Sequence, residues 1–168
     1  MTEPFREMRR KKQMLEKTAA EEILMQASSG VLSCRGDGDW PYGVPLNYVY
    51  HKGRIYFHSA ASGHRMDALR RDPRVSFTVI GEDRIVSGEY TSYFRSVIVF
   101  GKIRVAEGDE RLEALGALVE KYSGDRPQEE KKSQIHNCKQ ALLVAIDVEH
   151  MTGKEAIELV RASRKENE

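Results

Sequence analysis

The chain has 168 residues, and its 27 Lys and Arg nearly balance 26 Asp and Glu, for a formal net charge of +1. That length suits one domain with a substantial core, and the charge balance gives no electrostatic case for nucleic acid or an anionic membrane. No apolar run approaches the roughly 20 residues that span a bilayer, the first residues lack the apolar h-region of a signal peptide, and Cys34 and Cys138 lie far apart without histidines at ligand spacing, so no metal site and a reduced, cytoplasmic setting are expected.

Residues 1–17 show no period and read as an N-terminal arm. Thr18-Ala19-Ala20-Glu21 has the pattern of a capping box, and Ala20, Ile23, Leu24 and Ala27 then fall on one helical face until Ser28-Ser29-Gly30. Residues 31–34 read as a strand, followed by turn chemistry through residue 39. Residues 44–50 and 54–60 form a hairpin about His51-Lys52-Gly53. Pro41 and Pro45 cannot donate to a ladder, so the strand that carries them is bulged or at an edge. A short helix from His64 stops at Asp72-Pro73. Residues 74–80 read as a strand, residues 81–83 as a turn, residues 84–90 as loop or short strand, and residues 92–105 as a long strand in which Gly101 marks a bend. Asp109 is placed to cap a helix whose stripe is Leu112, Leu115, Leu118, Val119 and Tyr122. A shorter polar helix ends near Asn137, residues 141–148 form a deeply buried strand, and residues 155–168 a final helix or tail.

About six strands in hairpins, with helices between them and no βαβ alternation, predict a mainly β (α+β) antiparallel barrel with peripheral helices, one domain over residues 1–168. Rossmann, P-loop, nucleophile-elbow and zincin motifs are absent.

The most informative stretch is the end of the hairpin. Ser59-Ala60-Ala61-Ser62-Gly63 feeds a helix whose first turn carries His64 and Arg65. Cations are disfavoured at the positive end of a helix, and they make sense there if an anion sits between them and the free N–H groups. The same residues also suit a solvated turn whose basic side chains face water. His58 ends the strand beside this corner. It fits a histidine hydrogen-bonded at a barrel rim, or a proton donor beside a bound cofactor.

The ordered segments PYGVPLNYVY, IYFHSAASGHRMDALRRDPRVSF, TSYFRSVIVFGKIRV and VAIDVEHMTGKEA resemble the nitroimidazole-resistance (Nim) family, within the flavin-binding split-barrel superfamily that includes pyridoxamine 5′-phosphate oxidase. The resemblance implies a six-stranded split β-barrel and a homodimer with FMN at its interface. It implies that Tyr42, Val44, Pro45, Leu46 and Asn47 line the flavin ring, that Ser59, Ala60, Gly63, His64 and Arg65 hold the phosphate, and that Tyr93 and Ser96 approach from the other subunit. His58 matches the family's histidine near the flavin and is the candidate catalytic residue. The family more often has lysine where this chain has Arg65, and a guanidinium holds phosphate at least as well. The implied function is an FMN-dependent oxidoreductase that reduces nitroaromatic, 5-nitroimidazole-like compounds with electrons from NADH or NADPH. A pyridoxamine-phosphate-oxidase-like enzyme and a non-catalytic flavin or haem binder are the alternatives.

Overall fold

The computed structural model describes residues 5–138 and 141–166. Its strands are β1 (Met14–Leu15), β2 (Gly30–Arg35), β3 (Pro41–Leu46), β4 (Val49–His51), β5 (Arg54–Ser59), β6 (Arg74–Val86), β7 (Thr91–Val105) and β8 (Leu142–Glu155). Its α-helices are α1 (Lys17–Gln26), α2 (His64–Arg71), α3 (Gly108–Ser123), α4 (Gln128–Asn137) and α5 (Ile157–Glu166). All strand pairs are antiparallel, in the order β3-β2-β6-β7-β8-β5-β4, with β1 added against β8.

The two outer strands of this order, β3 and β4, are consecutive in the chain and separated only by Asn47 and Tyr48. Consecutive Cα atoms lie about 3.8 Å apart, so the sheet must curl until its edges nearly meet. The split barrel expected from the sequence is thus present, with eight strands in place of six among the described residues. The run 44–50 is two strands and not one: it leaves β2 after Leu46 and rejoins the sheet beside β5 at Val49. The hairpin β4–β5 turns on Lys52 (φ 48°) and Gly53 (φ 78°), the paired positive φ values of a tight type I′ connection.

Three further boundaries differ from the sequence reading. Helix α1 starts at Lys17 with Glu16 as its N-cap, so Thr18 lies inside the helix and forms no capping box. Helix α3 is capped at Glu107, placing Asp109 in its first turn, and Leu112 is exposed while Ala114, Leu115 and Leu118 carry the packing. Gly81-Glu82-Asp83 is no turn. Strand β6 bulges between Ile80 and Glu82 and runs on to Val86. The bend at Gly101 is there: the β7–β8 register slips at Phe100/Gly101, and a Cβ on Gly101 would run into the Asp147 carbonyl oxygen.

The barrel interior is filled by Leu32, Tyr48, Ile55, Phe57, Phe77, Val97 and Val99, with Leu24 of α1 and Leu69 of α2 closing on it. A second cluster lies outside the barrel, where Tyr56, Leu143 and Ala145 meet Ala114, Leu115 and Leu118 of α3. The period-2 alternation of β5 decides which layer each residue serves. Ile55 and Phe57 point inward, while Tyr56 packs under α3. Beyond the bulge, residues 82–86 and 91–95 pair with each other, and β8 joins β7 only from Arg95 onward, so a two-stranded ribbon projects from the sheet. It carries exposed Ile85 and Tyr90.

Candidate functional site

The loop from Ser59 to Gly63 delivers the chain into α2 in a way that leaves the helix start open. Gly63 is the N-cap at φ 112°, ψ 168°, a conformation essentially reserved for glycine, and no side chain caps the helix. The Asp67 N–H already bonds the Gly63 carbonyl, so the orphan donors are the N–H groups of the first turn.

Arg65 turns back across this opening. Its Nη2 donates to Ser59 Oγ at 2.8 Å, and its guanidinium carbon lies 5.8 Å from the Phe57 ring centroid. Ser59 is buried and donates in turn to the Ala60 carbonyl at 3.0 Å. No carboxylate pairs with Arg65 among the described residues, whereas its neighbours are all engaged. His64 stacks on Tyr42 at 4.2 Å between centroids and has its Nε2 3.5 Å from Asp37. Arg71 pairs with the same Asp37 at 2.7 Å, and Arg70 donates to the Ala61 carbonyl at 2.6 Å. The corner therefore combines an unpaired cation, a hydroxyl and free helix N–H groups, the donor set of an anion site. His64 serves as its wall more than as a ligand. The depression behind it, with Arg35, Arg71 and Arg74, is neutralised by Asp39, Asp37 and Asp72.

Strand β3 supplies an open backbone edge beside the corner. The Gly36 N–H bonds the Trp40 carbonyl at 2.8 Å, and the β2–β3 register continues that ladder through Cys34↔Tyr42, Leu32↔Val44 and Gly30↔Leu46. The backbone groups of Tyr42, Val44 and Leu46 thus face β2, and those of Pro41, Gly43 and Pro45 face outward. Both prolines occupy positions where a missing donor costs the ladder nothing. The outward edge offers the carbonyls of these residues, and its sole N–H is that of Gly43.

His58 is not in this corner. Successive β residues point to opposite faces, so His58 projects with Tyr56 away from Ser59. It lines a cleft of about 610 Å³ between β5 and the α3–α4 pair, together with Asn47, Leu118, Tyr122, Gln134 and Ile135. Of the residues assigned to one flavin site by resemblance, Ser59, Ala60, Gly63 and Arg65 assemble at the corner. Tyr42, Val44, Pro45 and Leu46 lie along the adjacent edge strand. Asn47 and His58 share the cleft. Tyr93 sits on the projecting ribbon, its hydroxyl donating to Glu89 at 2.9 Å and its ring 4.7 Å from the Arg84 guanidinium carbon. Ser96 lies on the outer sheet face, paired with Ile80 and Lys154. Within one chain neither reaches the corner.

The cleft itself was not legible in the sequence, because its lining in α3 looks like ordinary core stripe. Tyr122 is the exception in kind. Its hydroxyl accepts from the Tyr48 N–H at 2.9 Å and lies 2.6 Å from the Ser28 and 2.8 Å from the Tyr48 carbonyl oxygen. It clamps the two-residue junction that closes the barrel. Nearby, the Lys121 ammonium sits 4.1 Å from the Tyr48 ring centroid with no hydrogen-bond partner, and burial holds its pKa down to about 8. Among the described residues no three His, Cys, Asp or Glu side chains converge to hold a metal, and no helix is long and apolar enough to cross a membrane.

Comparison with known proteins places this geometry. The model of the pyridoxamine 5′-phosphate oxidase family matches residues 16–155. A candidate 5-nitroimidazole antibiotic resistance protein from Bacteroides thetaiotaomicron has a similar structure, with 24% identity, 84% of this chain and 86% of that chain covered, and a TM-score of 0.70. A conserved hypothetical protein from Mycobacterium tuberculosis superposes with a TM-score of 0.75 at 21% identity, over 89% of this chain and 90% of that one. An FAD-binding protein from Mesorhizobium loti does so at 0.57 and 23%, over 86% and 97%. No curated protein matches the chain. A family match over residues 16–155, on a split barrel with an open helix corner, identifies the chain as a member of the pyridoxamine 5′-phosphate oxidase family.

Proposed function

We propose that the chain is a flavin-dependent oxidoreductase that binds FMN. The observation that carries this reading is the corner at α2, where Arg65 lacks a carboxylate partner and faces Ser59 at an uncapped helix N-terminus. These residues fit a phosphate: a guanidinium for charge, a hydroxyl and first-turn N–H groups for direction. The family match and the FAD-binding relative support a flavin as the bearer of that phosphate.

In this reading Arg65, Ser59 and the N–H groups of the first α2 turn hold the phosphate. His64, stacked on Tyr42, walls the site. The outward edge of β3 lies against the ring, where its one N–H, from Gly43, favours a ring acceptor and its carbonyls a ring donor. Bound FMN supplies the transfer of electrons that protein side chains do not perform. NADH or NADPH serves as donor and a nitroaromatic compound as acceptor. His58, reached from the cleft, orients the acceptor or gives it a proton.

A homodimer fits the same reading. The projecting ribbon with Ile85 and Tyr90, and the outer sheet face with exposed Ile80, Ile98 and Phe100, form apolar surface beyond scattered single residues. A two-stranded ribbon is marginally stable alone in water. Packed on a second copy, it would bring Tyr93 toward that copy's corner.

Arg65→Glu tests the reading. It reverses the charge at the anion site, and the expected result is protein that folds but no longer retains FMN, while Arg65→Lys retains it. Undiminished FMN retention by Arg65→Glu would overturn the assignment of the corner.

A further inference from the structure

The anion corner and the depression behind it share one wall. The His64 imidazole stacks on Tyr42, and its Nε2 lies 3.5 Å from Asp37 of the β2–β3 loop. The loop comes close here: a Cβ on Gly36 would lie 3.6 Å from that nitrogen and 3.0 Å from the Tyr42 Cβ. Asp37 also takes Arg71 at 2.7 Å, so one carboxylate ties the loop to both ends of α2. Beyond the wall the depression measures about 420 Å³, and the exposed indole of Trp40 packs over Gly38 at its edge. That volume is within the range of small-molecule sites, but the charge is not that of a phosphate site. Each guanidinium is engaged: Arg35 by Asp39 at 2.6 Å, Arg71 by Asp37, and Arg74 by Asp72 at 2.6 Å. The same bonds hold the three carboxyls below their usual range, Asp72 at about 2, so all are ionised at neutral pH and cancel the arginines. Arg65, across the wall, faces Ser59 and no carboxylate among the described residues.

We infer that Asp37 is a specificity-determining residue: it matches the corner to a flavin that ends in one phosphate, and it turns away a flavin that continues into a second phosphate and an adenosine. This rests on the flavoprotein reading. A terminal phosphate monoester carries about two negative charges at neutral pH and brings both to Arg65. In a dinucleotide the charge is split between two phosphates, and the second needs a cation of its own. The arginines of the depression stand next to the corner, but a phosphate that approaches them past His64 meets the Asp37 carboxylate. Like charges set against each other suppress the wrong partner. Without that carboxylate, Arg71 becomes the missing cation, and the Trp40 indole beside it offers a face on which a base can stack.

The test is calorimetric titration of the full chain with FMN and with FAD, read as the ratio of the two dissociation constants. It is done on wild type, Asp37→Asn and Asp37→Lys, with Asp109→Asn on α3 as the control for surface charge in general. Wild type is expected to bind FMN about tenfold or more tighter than FAD. Asp37→Asn is expected to narrow the ratio about threefold, the scale of an exposed charge, and Asp37→Lys further, both chiefly through tighter FAD. Asp109→Asn should leave the ratio where it is. A carboxylate that only braced the loop would change both constants alike. FAD binding as tightly as FMN in wild type, a ratio unmoved in both Asp37 variants, or an equal change in Asp109→Asn would overturn the role of Asp37 while the flavoprotein reading stands. If wild type binds neither flavin, that reading falls and the inference falls with it.

Discussion

Tyr122→Phe removes one oxygen from the point where the barrel closes. The chain leaves β3 at Leu46 and enters β4 at Val49, and in that interval the Tyr48 N–H has the Tyr122 hydroxyl as acceptor at 2.9 Å. Tyr48 is fully buried, and its own hydroxyl donates to the Leu24 carbonyl at 2.7 Å, so its backbone has little freedom to find another partner. A buried N–H left without an acceptor costs about 1–3 kcal/mol. The hydroxyl proton also serves a carbonyl, Ser28 at 2.6 Å or Tyr48 at 2.8 Å, and its net loss adds about 0.5–1.5 kcal/mol. A loss of about 2–3 kcal/mol is therefore expected, equivalent to a fall in melting temperature of roughly 5–10 °C for a domain of this size. Urea unfolding of both proteins measures it directly, and the slope m should be unchanged, because the surface exposed on unfolding is the same. A difference below about 0.5 kcal/mol, typical of a neutral surface substitution, would refute the clamp.

Lys121→Met should stabilise the protein at neutral pH by on the order of 1 kcal/mol, since it removes an ammonium held over the Tyr48 ring without a hydrogen-bond partner. The Lys121 pKa falls from 10.5 to about 8 on folding, so wild-type stability should rise between pH 8 and 10.5, where only the unfolded chain keeps the proton, and the variant should lose that rise in urea titrations. Arg104 holds the Glu110 carboxyl down from 4.5 to about 2, and Tyr56 also donates to it. Its contribution is complete above about pH 4.5 and lost as pH falls toward 2, so Glu110→Gln should flatten that limb of the acid-unfolding curve. Gly101→Ala drives a methyl group toward the Asp147 carbonyl and should cost about 1–3 kcal/mol by thermal unfolding.

Local chemistry was readable in the sequence where it is written in neighbouring residues. The loop from Ser59 to Gly63, the helix from His64 and the Lys52–Gly53 turn all depend on residues within a few positions of one another, and the bend at Gly101 is flagged by the glycine itself although the Asp147 carbonyl that requires it is distant in sequence. The proline pattern of β3 announced a strand that is bulged or at an edge, and β3 is an edge strand. What was hidden is tertiary. Nothing at Asn47 and Tyr48 marks a break, because neither is Gly nor Pro, and the change of partner there is imposed by barrel closure and the Tyr122 clamp. Gly81 reads as a turn because a bulge and a turn use the same residue, and only pairing with Arg95 through Thr91 shows that β6 continues. The placing of His58 beside the anion corner rested on adjacency in sequence and on the family resemblance. Strand alternation separates them, and the cleft that receives His58 exists only once α4 folds back on α3.

A phosphate held in the α2 corner would separate FMN from riboflavin. The most direct measurement is the visible absorption of the wild-type chain after incubation with FMN and removal of free ligand, repeated with riboflavin, which has the same ring and lacks the phosphate. Stoichiometric retention of FMN and loss of riboflavin under the same wash are expected. Retention of neither, or of both equally, would contradict a phosphate held in the corner.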